Sequence, residues 1–361
     1  LVNRLVFENL KHRPVRTLLS AFLIGVQVTL ILTLVGVSYG WLNDIAARTR
    51  GTGADIMVRP PDSSVIGFSG NMPEKLVPIV RETPHVAVAT GVLQQNVGSI
   101  DYIMGIHLAE FNAMSGGFQY LSGGPFTAPN DLIVDEVYAR SKHVKVGDMV
   151  NIGKSWRVAG IVVPGKLART FADIKVLQRM YSSDGQISTI FVKVDKPDNV
   201  AAVMSELGER LNAYKIYSME EYTSLISVNS LPELKTFTKV VIGLGLVIGF
   251  LVVFLSMYTA VLERTREIGI LKALGASPGY ILNMLLRETV LLSIAGSIAG
   301  FLLTYGARAA MHVFVPTMPT EIVYSWWPWA AALALIGSLL GAVYPGLKAA
   351  KQDAIEALSY D

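Results

Sequence analysis

Four uncharged stretches constrain this chain more than any other feature. They lie between Arg16 and Asp44, Lys239 and Glu263, Glu288 and Arg308, and Glu321 and Lys348. Each holds at least about 19 residues without Asp, Glu, Lys or Arg, close to the roughly 20 that a helix needs to cross about 30 Å of hydrocarbon at 1.5 Å per residue. A buried helix of a soluble protein rarely sustains such a run beyond about 10 to 14 residues. Composition points the same way. Of 361 residues, 52% are hydrophobic and only 16% charged, against about 25% charged in soluble domains, and the mean hydropathy is +0.45. The fold class that follows is a membrane protein, an α-helical bundle of four transmembrane helices. The expected spans are 17–43, 237–262, 278–311 and 325–347.

The net charge of +3 and the absence of a basic run interleaved with aromatics exclude a nucleic-acid surface. With no cysteine in the chain, disulfides, thiolate metal sites and thiol catalysis are excluded together. The first apolar run follows Arg4, Lys11, Arg13 and Arg16 but is longer than the roughly 7 to 15 residues of a signal-peptide core. No small-x-small cleavage site follows it cleanly, with Ala46 and Ala47 the weak alternative, so an uncleaved signal anchor is expected.

Lys and Arg in short loops set orientation. They occur in segment 1–16, in the loop with Arg264, Arg266 and Lys272, and in the tail with Lys348 and Lys351. These three regions are therefore placed in the cytoplasm. The loop 312–324 lacks Lys and Arg and runs into Tyr324, Trp326, Trp327 and Trp329, rings suited to a headgroup interface. Both termini are thus expected inside a cytoplasmic (inner) membrane, with the long segment 44–236 outside.

That segment has ordinary charge density and reads as an α+β extracytoplasmic domain inserted between the first and second helices. Strands are predicted over 55–59, 85–93, 131–134, 149–152, 156–163 and 188–194, the last with Ile190, Val192 and Val194 on one face. Helices are predicted over 73–81 and 197–211, each opening with proline. The second carries Val200, Val203, Met204 and Leu207 as an apolar stripe. Gly147 to Ser155, GDMVNIGKS, imitates a phosphate-binding loop but has five residues between its glycines and lies between two strands, so a hairpin turn is expected. Asp135, Glu136, Asp148, His107 and His143 fall neither at metal-ligand spacing nor beside a nucleophile, and are expected to be surface or capping residues. No catalytic residue and no metal site are expected.

The middles of the four runs contain neither charge nor proline, unlike ion-coupled carriers. Each run has a glycine pair at four-residue spacing: Gly36 and Gly40, Gly245 and Gly249, Gly296 and Gly300, Gly337 and Gly341. Such pairs allow close helix packing in lipid. After the second run, Glu263 to Ser277 reads ERTREIGILKALGAS. Ile268, Leu271 and Leu274 form an apolar stripe on a short helix, with Arg264, Arg266, Glu267 and Lys272 facing elsewhere and Gly275 as its stop. Ser277 and Pro278 then start the third span as N-cap and first-turn proline. On physical grounds alone this helix could simply lie on headgroups.

ERTREIGILKALGA, RETVLLSIAGSIAG and YPGLKAAKQDAIEAL resemble the conserved stretches of the MacB/FtsX-like permeases, the type VII ABC transporter membrane subunits. NLKHRPVRTLLSAFLIG resembles the start of that family's first helix, and VDEVYARSKHVKVGDMV with WRVAGIVV resembles its MacB-like periplasmic core. The resemblance covers essentially the whole chain. It implies a dimer of permease protomers, most simply a homodimer, docked on two copies of a separate ABC ATPase through Glu263, Arg264, Arg266, Glu267, Gly269, Lys272 and Gly275. Because the chain lacks a Walker A motif, it is expected to bind no cofactor itself, with ATP and Mg held by the ATPase. The implied function is mechanotransmission, for export or extraction of a lipid, lipoprotein, peptide or small molecule, with a periplasmic adaptor or substrate carrier as a further partner. The alternative within the family is an FtsX-like regulator that switches a cell-wall hydrolase without transport.

Overall fold

The computed structural model describes residues 14–66, 70–97, 102–227 and 232–351; Arg4, Lys11, Arg13 and the tail after Lys351 lie outside the described residues. The chain divides into two units, one of Leu1–Tyr39, Pro232–Phe314 and Thr320–Asp361, the other of Gly40–Leu231 and Val315–Pro319. Lipid offers no water to N–H and C=O groups, so an apolar segment must satisfy them within itself. The first such segment forms one unbroken helix, α1 (Pro14–Arg50), of 37 residues.

The inserted domain contains, in order, β1 (Ile56–Arg59), β2 (Met72–Pro73), α2 (Leu76–Arg81), β3 (Val86–Asn96), β4 (Tyr102–Ile106), α3 (Leu108–Ser115), β5 (Tyr120–Gly123) and β6 (Asp131–Asp135). It continues with α4 (Glu136–Lys142), β7 (Met149–Ile152), β8 (Lys154–Val162), β9 (Thr170–Asp173), α5 (Ile174–Met180), β10 (Gln186–Ile187), β11 (Thr189–Val194), α6 (Val200–Arg210), β12 (Lys215–Ser218) and α7 (Met219–Leu225). The large sheet runs β12-β1-β11-β3-β4-β9-β6-β8-β5, with β7 also on β8. It is mixed: β4 pairs with β9 and β6 with β8 in parallel, and the other pairs are antiparallel. Helices supply the crossovers that parallel neighbours require.

Ile190, Val192 and Val194 face the core as predicted, yet Phe191 is buried on the opposite face as well, so β11 is covered on both sides. The helix predicted from Pro73 starts only at Leu76, because Met72 and Pro73 pair with Ile187 and Gln186 as extended chain. Between them Glu74 accepts hydrogen bonds from Lys175 Nζ, Gln178 Nε2 and the His107 ring. Burial alone would raise its pKa, but these bonds outweigh burial and hold the carboxyl down at about 2. The GDMVNIGKS segment is a hairpin, with β7 and β8 joined at Gly153, whose φ of +68° favours glycine. Lys154 donates to the Met180 carbonyl at 2.6 Å.

α8 (Pro232–Glu263), α9 (Thr265–Ala273), α10 (Pro278–Phe314) and α11 (Trp327–Lys351) follow. Among the described residues four helices are long and apolar enough to cross a membrane: Thr17–Arg50, Leu234–Glu263, Pro278–Phe314 and Tyr324–Lys351. Glycine contacts join them. A Cβ on Gly300 would lie 2.7 Å from Val28 Cβ and 2.8 Å from the Gly25 oxygen, and one on Gly296 would lie 2.7 Å from Ile24 Cβ. Here α1 and α10 touch at the backbone, and Thr29 Oγ1 donates to the Gly300 carbonyl at 3.1 Å. α8 crosses α1 in antiparallel register, with Ile31 on Gly245, Gln27 on Gly249, and Ser20 Oγ 2.6 Å from Ser256 Oγ. On α11, Gly337 and Gly341 meet Leu246 and Phe250 of α8. The Gly36 carbonyl accepts from Glu321 N at 3.0 Å, and Gly40 is buried one turn further along α1.

Overpacking at such a contact costs about 1–3 kcal/mol. Gly300→Leu should therefore lower the melting temperature in detergent, whereas Gly306→Leu, at a position with open space around it, should leave it unchanged.

Candidate functional site

The segment from Glu263 to Gly275 turns the chain out of α8 and back into α10. α8 breaks at Arg264, whose φ of −109° and ψ of 15° are not helical, and α9 starts at Thr265. The break is anchored from inside. Arg264 Nη1 donates to Glu288 Oε2 of α10 at 3.1 Å, with side-chain exposures of only 6% and 2%. Arg264, expected only to face away from the apolar stripe, is therefore an interior residue. It is buried because the kink directs it between α9 and α10, where a carboxylate is waiting. Ile268, fully enclosed, packs with Val261, Ile281, Leu285 and Ala349, and Gly269 is buried beside it. Lys272 Nζ donates to the Ala350 carbonyl at 2.9 Å, which ties α9 to α11.

The outer side of α9 is different. Glu263, Arg266 and Glu267 are exposed, as are Ile270 at 46% and Leu274 at 81%. Leu274 thus leaves the predicted stripe, of which Ile268 is buried and Leu271 half-buried. The reason is local: α9 ends at Ala273, and Gly275 takes φ +94°, so helical periodicity no longer governs Leu274. The Gly275 and Ala276 amides donate back to the Lys272 and Leu271 carbonyls at 2.9 and 3.0 Å. Ser277 then caps α10, accepting from Tyr280 N at 3.2 Å. A cleft of about 280 Å³ opens beside α9, lined by Arg264, Glu267, Ile270, Leu271, Met284 and Leu285 among others. The surface so formed has an apolar tip between charges of both signs on a support fixed to two long helices, an arrangement suited to engaging another protein.

Glu288 was missed as a site residue. It marked the edge of an uncharged run, but α10 begins ten residues earlier, so the carboxylate sits inside the helix. The five residues considered for chemistry do not converge. Glu136 pairs with Arg140, Asp148 accepts from Lys145 N in a turn, His107 meets Glu74, and His143 ends α4 with φ +55°. Asp135 caps α4 by accepting from Tyr138 N at 2.7 Å, as expected, yet it is buried rather than superficial and pairs with Arg169 at 3.1 Å. Desolvation pushes its carboxyl up against the opposing effect of Tyr138 N–H and Arg169. Among the described residues no group of His, Asp and Glu could hold a metal ion.

Residues 17–210 match the model of the MacB-like periplasmic core domain, and residues 239–354 match that of the FtsX-like permease C-terminal region. This chain belongs to the MacB/FtsX-like permease family. The permease is 31% identical to the uncharacterized ABC transporter permease YknZ of Bacillus subtilis over 60% of this chain and 57% of that one. It is 23% identical to the uncharacterized ABC transporter permease MJ1507 of Methanocaldococcus jannaschii over 98% and 96% of the two chains. It is 24% identical to the macrolide export ATP-binding/permease protein MacB of Escherichia coli over 99% of this chain and 60% of that protein. The permease thus spans somewhat under two thirds of YknZ and MacB. It is an ABC transporter permease of MacB/FtsX type, a membrane protein of four apolar helices with an extracytoplasmic α/β domain between the first and second.

Removing one partner of a buried ion pair costs about 3–5 kcal/mol. In this permease Arg264→Gln should sharply lower melting temperature and purified yield, whereas Arg266→Gln, at an exposed position, should melt like the wild type.

Proposed function

We propose that this permease converts ATP hydrolysis by a separate cytoplasmic ABC ATPase into movement of its extracytoplasmic domain, without conducting substrate along its own bundle. α9 is the docking element. The observation that carries this reading is the division of α9 into two sides. Arg264, Ile268 and Lys272 fix it to α10 and α11, while Arg266, Glu267, Ile270 and Leu274 face outward. A push on the outer side therefore reaches the long helices rather than being absorbed by a loose loop.

The basic residues flanking the spans support an orientation with α9 and both termini in the cytoplasm of an inner-membrane protein. Two permease protomers and two ATPase subunits form the working assembly, with ATP and Mg bound by the ATPase. Glu263 and Gly269 contribute differently: the first is exposed at the edge of the surface, and the second is buried beside Ile268. Gly275 closes the element with its left-handed turn. The cargo is a lipid, lipoprotein, peptide or small molecule that the moving domain drives, directly or through a periplasmic adaptor.

Arg266→Glu with Leu274→Glu tests the docking role, because both side chains are exposed and the fold should survive. A central interface residue carries about 2 kcal/mol, so ATPase binding should weaken by about thirtyfold and stimulated hydrolysis should fall with it, at an unchanged melting temperature. Binding and hydrolysis at the wild-type level would refute the assignment.

A further inference from the structure

The extracytoplasmic unit includes the last turns of α1, from Gly40 to Arg50, and the short stretch Val315–Pro319 between α10 and α11. Within this unit an ion network closes on the end of α1. Asp44 Oδ2 accepts from Arg48 Nε on the same helix and from Arg169 Nη2, both at 3.0 Å. Arg169 reaches Asp135 of β6 with its other amino group at 3.1 Å, and its Nη2 also lies 3.5 Å from the Thr317 carbonyl. Arg48 Nη1 donates to Tyr102 of β4 and to the Leu167 carbonyl, both at 3.2 Å. In return, the Arg48 carbonyl accepts from Leu167 N at 2.7 Å. Leu167 holds φ +40°, a conformation that non-glycine residues adopt only where surrounding bonds enforce it.

Burial is graded across this cluster. Asp135 is 2% exposed, Arg48 8%, Arg169 16% and Asp44 25%. Two carboxylates and two guanidiniums removed this far from water attract one another more strongly than surface pairs do. Each guanidinium also bonds to different partners through two of its nitrogens, which fixes its orientation as well as its position. The network thus joins one helix to three separate parts of the domain: strand β6 through Asp135, strand β4 through Tyr102, and the 163–169 loop through Leu167. α1 is a single helix from Pro14 to Arg50 with no proline after its first residue.

We propose that Asp44, Arg48, Arg169 and Asp135 are a clamp that makes the end of α1 and the β4–β9–β6 core move as one body during the ATPase cycle. Arg169 and Asp44 are its positioning residues. This rests on the mechanotransmission reading above and adds the place where helix motion enters the domain. Asp44 is the separable component: its removal releases Arg169 from α1 but leaves Arg169 on Asp135, and Arg48 on Tyr102 and Leu167.

The test uses the full permease with its ATPase in lipid nanodiscs, comparing deuterium uptake with and without ATP and vanadate in peptides covering 131–142 and 163–173. In the wild type, uptake in both should change on trapping. Asp44→Asn and Arg169→Gln should lose that change in 131–142 but keep it in 163–173, which Arg48 still holds through Leu167, with ATP hydrolysis retained, and Arg169→Lys, which keeps the charge, should restore part of the change in 131–142. Should Arg169→Gln fail to fold, Asp44→Asn decides alone. A change in 131–142 that persists in Asp44→Asn would overturn the clamp and leave mechanotransmission standing. No change in the wild type would overturn mechanotransmission itself. Loss of hydrolysis together with the change would reduce the cluster to a structural role and overturn the clamp as well.

Discussion

The ion pair between Arg264 and Glu288 sets the terms for the membrane unit. Two charges out of water are tolerable only when they face each other in good geometry, and here they can do so only if the α8–α9 break lies against α10. A nine-residue helix has no independent stability. α9 exists because Arg264 is held at its start, Ile268 is buried at its middle, and Lys272 reaches the Ala350 carbonyl at its end. What faces outward is then tied at three points to the long helices behind it. Such anchoring is what the proposed coupling role needs, since a force applied to a mobile loop would be spent in moving the loop.

The same economy of distance governs the bundle. Lipid supplies no hydrophobic drive for helix association, so backbone proximity at Gly25, Gly296 and Gly300 and at Gly337 and Gly341 does the packing, supplemented by hydroxyl contacts at Ser20, Thr29 and Ser256. All of these contacts lie within one chain. The leucines and valines of α8 such as Leu244, Val247, Leu251 and Leu255 stay exposed on the outside of these contacts.

Much of this architecture was legible in the residues. An uncharged run of membrane length has few other uses, and Val203 and Leu207 of α6 or the β7–β8 hairpin at Gly153 follow from simple periodicity and turn chemistry. What escaped has common physical causes. Periodicity assigns every charge to the solvent side, so it could not place Arg264 indoors; only the position of Glu288 inside the third apolar segment hinted that a cation was required. Leu274 was misplaced because the stripe was extended past the end of its helix. β9, with Thr170, Phe171 and Ala172 all buried, has no alternation to read, and β4 fits the same description. Asp135 and Arg169 are far apart in sequence, and nothing local announces that they meet.

The central claim is that α9 and α10 travel together when the ATPase changes state. Spin labels placed at Leu274 and Leu291, both exposed and on α9's end and α10 respectively, allow that distance to be measured by pulsed electron resonance in labelled protomers diluted among unlabelled ones. The account predicts the same distance distribution in the nucleotide-free and the vanadate-trapped complex. A distribution that shifts or broadens by several ångströms on trapping would mean that α9 moves on its own, and would contradict it.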